Sequence, residues 1–143
     1  MAAKSKSNTI KIIRIYDAPV KTVWDAWTDP KIAAKWWGPR GFTLTTHSKD
    51  LRVGGHWSYT MHGPDGTDYV NEVRFLEIVP NERIDFEHLE PMHYFTMAMS
   101  FEDKDGGTLL TWVMTFEEPI DPTTREFILA ANQQNFDRLQ ACL

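Results

Sequence analysis

Between Thr43 and Glu117 the sequence is divided into six short segments in which bulky apolar residues alternate with polar ones. A period of two is typical of β-strands that bury one face, whereas an amphipathic helix repeats every 3.6 residues. Turn-forming residues separate the segments, as at positions 54–55, 64–66 and 105–107. The pattern therefore predicts an antiparallel meander with strands over Thr43–Lys49, Gly55–His62, Thr67–Val79, Arg83–Leu89, His93–Asp103 and Thr108–Glu117.

The residues before and after this meander predict one more strand and three helices. The β-branched and aromatic run Thr9–Tyr16 is typical of a strand. Apolar residues at helical spacing predict a short helix between Pro19 and Asp29, and a second helix over Pro30–Trp37 that the following Gly-Pro pair stops. The segment after Asp121 lacks internal glycine and proline, so it predicts a long last helix with an apolar stripe of Ile128, Ala131, Asn135, Leu139 and Cys142.

Length and charge limit the domain organisation and the partners. A chain of 143 residues without repeats or linkers fits one core, so we expect a flexible tail over residues 1–8 and a single domain over residues 9–143. The net charge of -5 is spread along the chain without a basic stripe, which argues against nucleic acid as a partner. The first eight residues lack an apolar run, so we expect no membrane insertion. Cys142 is the single cysteine, so we expect no intrachain disulfide and a cytoplasmic location.

The element order and seven short motifs together resemble a known family. The motifs are Asp17-Ala18-Pro19, Val23-Trp24, Thr28-Asp29-Pro30, Trp36-Trp37-Gly38-Pro39, Gly54-Gly55, Pro64-Asp65-Gly66 and Phe136-Asp137-Arg138-Leu139. In this order they resemble the Hsp90-ATPase-activator-like branch of the START/Bet v 1 superfamily over residues 10–143. The resemblance implies an α+β helix-grip fold, in which a curved seven-stranded antiparallel sheet wraps around the C-terminal helix and encloses a cavity. Carriers, polyketide cyclases and chaperone regulators share this fold, so the fold alone does not select a function.

Alternation along each strand predicts which side chains face that cavity, because the bulky apolar face is expected to point inward. The helix stripe and the residues that follow the second short helix complete the enclosure. From the sheet we expect Trp57, Tyr59, Met61, Asn71, Val73, Phe75, Phe86, His88, Met97, Met99, Trp112 and Met114. From the last helix we expect Ile128, Asn132 and Asn135, and as a rim Trp36, Trp37 and Phe42. An exposed Trp36-Trp37 pair would equally suit a homodimer interface.

Polar residues inside this set favour a ligand site over a closed core. Aromatic and methionine side chains at strand spacing usually pack on one another and bind nothing. An unpaired buried polar group costs about 1 to 3 kcal/mol, so the inward Tyr59, Asn71, His88, Asn132 and Asn135 predict a polar end of a cavity. Where family members commonly carry a Gly-Trp pair, this chain has Ala131-Asn132, and the resemblance implies a larger cavity with an added carboxamide.

The sequence contains no motif for a cofactor, a metal or a nucleophilic catalyst. Phosphate-loop, dinucleotide and nucleophile-elbow patterns are missing, and the five histidines do not have zinc-binding spacing. We therefore expect a non-catalytic protein that binds a small hydrophobic or aromatic molecule. One alternative is a polyketide cyclase- or dehydratase-like enzyme that uses His88 or Tyr59 for proton transfer. A second is a chaperone co-regulator, which we disfavour because eukaryotic activators carry an additional N-terminal domain that residues 1–8 cannot supply.

Overall fold

The structure, a computed structural model, describes residues 8–38, 40–90 and 94–143. Within them the chain forms seven strands and three helices in the predicted order. The strands are β1 (Thr9–Tyr16), β2 (Thr43–Lys49), β3 (His56–His62), β4 (Asp68–Val79), β5 (Arg83–Glu90), β6 (Phe95–Lys104) and β7 (Gly107–Phe116). The helices are α1 (Val20–Thr28), α2 (Pro30–Trp36) and α3 (Pro122–Ala141). Residues 1–7 of the predicted tail and the predicted strand start at His93 lie outside the described residues.

The strands form one antiparallel sheet in the order β1-β7-β6-β5-β4-β3-β2. Because β1 and β2 lie on opposite edges, their connection must cross the sheet, and α1 and α2 make that crossing. Asp29 caps α2 by accepting a hydrogen bond from the Lys31 amide at 2.9 Å, and Asp121 caps α3 through Thr124 at 2.8 Å. This arrangement confirms the predicted α+β helix-grip fold. No helix in the described ranges is long and apolar enough to cross a membrane.

The face predicted to point inward is the buried face of the sheet. Inward residues lie opposite one another on neighbouring strands, as in the pairs Trp57 with Val73 and Phe86 with Met97. The register of β4 against β5 shifts between Glu72 and Val73 and again between Phe75 and Glu77, and the alternation of burial on β4 ends at the second shift. Strand alternation therefore predicts the buried face up to Phe75, which is only 1% exposed.

One half of the interior is a closed aromatic core centred on Trp27 of α1. Its indole contacts the rings of Trp57 at 5.2 Å and Phe75 at 6.1 Å, and stacks on Phe86 at 5.9 Å. Nearby, the space between Trp36 and Trp112 has no room for a water molecule. This part of the molecule is therefore packed rather than hollow.

The predicted exposure of the Trp36-Trp37 pair is wrong. Trp36 is 1% exposed and donates from Nε1 to the Ala26 carbonyl at 2.8 Å, and Trp37 is 7% exposed. Trp36 ends α2, whereas Trp37 has extended backbone angles, so two consecutive indoles both turn inward. The pair consequently offers no exposed surface for a homodimer.

Helix α3 is packed along only half of its length. Its buried residues are Asn132, Asn135, Phe136 and Leu139, all in the C-terminal half. Tyr16 of β1 fixes that half by donating from its hydroxyl to the Phe136 carbonyl at 3.0 Å. Residues 122–131 include none that is fully buried, and the space beneath them remains open.

Candidate ligand-binding cavity

A cavity in two adjoining parts lies between the N-terminal half of α3 and the inner face of the sheet. Its outer part has a volume of about 640 Å3 and its inner part about 200 Å3. Sites for small organic ligands in proteins typically measure about 300 to 1,000 Å3. The two parts adjoin each other, because both are lined by Met61, Asn71, His88, Phe95, Met114, Phe127, Ile128 and Ala131.

The loop after α2 closes one end of the inner part. Gly38 has a φ of 120°, a value that favours glycine, and a Cβ there would lie 3.1 Å from Cε of Met61. Its amide donates to Oδ1 of Asn135 at 2.7 Å, and its carbonyl accepts from Arg138 at 2.8 Å. Two side chains of α3 thus hold this loop against the helix.

His88 and Asn71 form a hydrogen-bonded pair on the cavity wall. Nδ2 of Asn71 donates to the Tyr69 carbonyl at 2.9 Å, so Oδ1 of Asn71 is the acceptor toward the imidazole. Nε2 of His88 therefore donates across 2.7 Å. The imidazole also stacks on Phe95 with the ring centres 4.8 Å apart, so its plane is fixed.

The Tyr59 hydroxyl is a second polar group of the inner part. Nε1 of Trp37 donates to it at 3.1 Å, and burial raises the pKa of Tyr59 well above its ordinary value, an effect that the Trp37 hydrogen bond only partly offsets. The phenol is therefore neutral at physiological pH. No acceptor among the described residues receives its hydroxyl hydrogen, which leaves that hydrogen available to a ligand.

The two buried asparagines of α3 differ in their partners. Asn135 is occupied by the Gly38 amide, so its role is structural. Asn132 has its Nδ2 atom 3.3 Å from Sδ of Met114, and a thioether is a weak acceptor. Of the two, Asn132 has the greater capacity to exchange its present contact for a ligand.

The structure gathers twelve of the predicted residues around the cavity and places the others elsewhere. The cavity is lined by Trp37, Phe42, Tyr59, Met61, Asn71, Phe86, His88, Met97, Met114, Ile128, Asn132 and Asn135. The residues that lie instead in the closed core are Trp36, Trp57, Val73, Phe75, Met99 and Trp112. They do face inward, but indole rings of α1 and α2 fill this region, with Trp27 against Trp57 and Phe75 and with Trp36 against Trp112.

Several residues at the mouth of the cavity were missed by sequence reasoning. They are Arg40, Tyr69, Phe116, Phe127, Ala130 and Gln134. Tyr69 was detectable, since it continues the alternation of Asn71 and Val73 and lies opposite Met61. Phe127 is 73% exposed and lies beside the apolar stripe, so helical periodicity gave no signal for it.

The described part of the chain holds no cluster of three or more His, Cys, Asp or Glu side chains suited to a metal ion. The polar groups around the cavity are instead amides, one imidazole, two phenols and one guanidinium. Their chemistry is hydrogen bonding to an organic molecule and, at His88, proton transfer.

Known proteins share both the sequence pattern and the fold. The sequence model described as activator of Hsp90 ATPase homolog 1-like protein matches residues 17–143. A crystal structure of a Chromobacterium violaceum protein is 29% identical, covers 94% of this chain and 95% of its own, and superposes with a TM-score of 0.84. A Nitrosomonas europaea protein is 21% identical, with coverages of 94% and 93% and a TM-score of 0.83.

A further structural neighbour is a protein in the dynemicin biosynthetic locus, 20% identical, with coverage of 94% of this chain and 46% of that one. Its TM-score is 0.75. At this identity the likeness concerns the fold alone. No curated protein matches the sequence.

Proposed function

Because the chain belongs to the family of activator of Hsp90 ATPase homolog 1-like proteins, we propose that its cavity is used to bind a small hydrophobic or aromatic molecule. The observation that carries the proposal is the open space of about 640 Å3 beneath α3. Aromatic rings, methionines and alanines make up most of its lining. A domain that used this face only for stability would close it with side chains, as the Trp27 region does.

Affinity would come mainly from the apolar lining, and orientation from the few polar groups. A ligand that buries about 200 Å2 of apolar surface gains about 5 kcal/mol, part of which offsets the loss of its free motion. The Tyr59 hydroxyl and the Asn132 amide supply hydrogen bonds at the inner end. Methionines Met61, Met97 and Met114 provide an adaptable wall that tolerates more than one ring shape.

The test is calorimetric titration and thermal unfolding with 2-naphthol, flavone and myristic acid as probes. At least one probe should bind and raise the melting temperature, because binding to the native state stabilises it. Ala131→Phe places a ring in the cavity and should weaken binding at least tenfold. Ala141→Phe adds the same ring at an exposed position near the end of α3 and should leave binding unchanged. If none of the probes binds, or if the two variants bind alike, the proposal is wrong.

A second candidate function is proton-transfer catalysis of the polyketide cyclase or dehydratase type. The observation that favours it is that His88 and Tyr59, the two candidate proton-transfer groups, line the same inner part of the cavity. In His88→Gln the amide can still donate to Asn71 but cannot exchange a proton with a substrate. If the protein is such an enzyme, the His88→Gln variant should still bind a poly-β-ketone thioester but should no longer convert it. A wild-type protein that binds the thioester without converting it would exclude catalysis of that compound.

A further inference from the structure

Among the described residues, one with a permanent charge lines the cavity, and its charge is positive. Arg40 is the only arginine or lysine among the described lining residues, which include no aspartate or glutamate. The ion pairs among the described residues involve other bases, and none of them includes Arg40. An exposed arginine without a protein counter-ion beside an apolar cavity can pair with the anionic group of a ligand.

The backbone amide of Arg40 is hydrogen-bonded to α3, whereas its side chain is exposed. The Arg40 amide donates to Oε1 of Gln134 on α3 at 3.0 Å. Two positions earlier, Gly38 is bonded to Asn135 and Arg138 of the same helix. The Arg40 side chain therefore extends from an anchored backbone amide. Pairing with a ligand would cost mainly the rotamer entropy of that side chain.

Charge across the opening is asymmetric. A second pocket of about 360 Å3 shares Phe116 and Ile128 with the cavity, and its lining includes the acids Glu117, Glu118 and Asp121. A carboxylate at the mouth is repelled from that side and attracted to the side of Arg40.

From these observations we infer that the natural ligand is an aromatic carboxylate. Its ring system lies among the apolar residues beneath α3 and its carboxylate pairs with Arg40, since a guanidinium matches the planar shape of a carboxylate with two parallel hydrogen bonds. The inference rests on the proposed function and specifies the ligand class for the same cavity. It is separable from that function, because a neutral aromatic molecule could occupy the cavity without using Arg40.

The experiment compares 2-naphthoic acid with its neutral analogue 2-naphthamide by calorimetry at pH 7.5. The wild type should bind the acid about fivefold to tenfold more tightly, as expected for one partly exposed charge-assisted pair. Arg40→Gln should remove this preference and leave the affinity for the amide unchanged. Arg40→Lys should keep part of the preference for the acid over the amide. Arg52→Gln, at an exposed arginine of the β2–β3 connection, is the matched control and should keep all of it.

Salt provides a measurement that needs no substitution. Raising the sodium chloride concentration from 20 mM to 500 mM should narrow the preference of the wild type for the acid and leave amide binding unchanged, since salt screens an exposed charge pair. Equal binding of acid and amide by the wild type, or a preference that survives in Arg40→Gln, would overturn the inference while the cavity remains a binding site. Binding of neither probe would overturn the inference and count against the proposed function as well.

Discussion

At the level of single residues, Asn132 and Asn135 are close neighbours on α3 with different physical roles. The Asn135 side chain accepts the Gly38 amide at 2.7 Å and so connects the helix to the loop that closes the cavity. The Asn132 amide contacts only a thioether sulfur among the described residues. Asn135 therefore holds the loop to the helix, whereas Asn132 places a weakly paired amide on the cavity wall.

The two asparagines give a matched pair of variants. Asn135→Leu should lower the free energy of unfolding by about 1 to 3 kcal/mol, because the buried Gly38 amide loses its acceptor. Asn132→Leu should leave this free energy unchanged or raise it by about 1 kcal/mol, because a weakly paired amide is replaced by an apolar group of similar size. Urea denaturation measures both. The same Asn132 variant should bind 2-acetonaphthone more weakly, and unchanged binding would remove Asn132 from the polar end.

The surroundings of Lys49 predict a stability that depends on pH. Its Nζ lies 4.4 Å from the Trp27 ring centre and 4.2 Å from that of Trp57, and it donates to the Trp27 carbonyl. Burial lowers the pKa of Lys49 from 10.5 to about 7, with the charge of Asp29 acting in the opposite direction. Between these two values the unfolded chain binds more protons than the folded one, so stability rises with pH in this window.

We expect the free energy of unfolding to increase between pH 7 and pH 9, by at most about 1.4 kcal/mol per pH unit. Lys49→Met should abolish the contribution of this residue to the slope. Lys11→Met, at an exposed position on β1, should retain it. Urea titrations at pH 7, 8 and 9 provide the comparison. A wild-type slope that the Lys49 variant reproduces would show that folding does not lower the pKa of Lys49, an outcome that the contacts with the two indole rings would favour.

At the level of secondary-structure elements, α3 combines a packed half with an open half. The C-terminal half is fixed by Phe136 and Leu139 in the core. The N-terminal half covers the cavity and presents Phe127, which is 73% exposed. Since local stability follows buried apolar contact, the two halves should open with different free energies.

Hydrogen exchange tests this division of α3. Backbone amides of residues 126–131 should exchange faster than those of residues 132–139, even though both stretches are helical. A bound aromatic probe should slow exchange in the first stretch more than in the second. Equal protection along the helix without ligand would show that the cavity does not weaken α3.

The strands were predictable from the sequence because alternation is a local property. Inward orientation of Tyr59, Asn71 and His88 follows from their neighbours alone, and the structure buries all three. What covers an inward residue is not local. Trp57 and Met61 lie on the same face of β3, but Trp27 from α1 closes the space over Trp57 while Met61 lines the cavity. Separating wall from core requires the positions of helices that are distant in sequence.

At the level of the whole molecule, the interior is divided between a closed aromatic core and an open cavity on the same sheet. The first contains Phe75, which is fully buried against Trp27. The second has Phe42 at its edge, where its ring faces Tyr69 at 6.1 Å. If the core provides stability and the cavity binds a ligand, the same substitution should lower mainly the free energy of unfolding in the core and mainly the ligand affinity in the cavity.

Phe75→Leu and Phe42→Leu make that comparison. At Phe75 the smaller side chain leaves a void in a packed region, and the free energy of unfolding should fall by about 1 to 2 kcal/mol, with the affinity for 2-naphthoic acid unchanged. At Phe42 part of the ring already borders open space, so the free energy of unfolding should fall by less than about 1 kcal/mol. The affinity for 2-naphthoic acid should fall in this variant, because the cavity loses an aromatic ring from its wall. Urea denaturation and calorimetric titration on the same two proteins measure both quantities. Loss of affinity in Phe75→Leu together with full affinity in Phe42→Leu would place the ligand in the core rather than beneath α3.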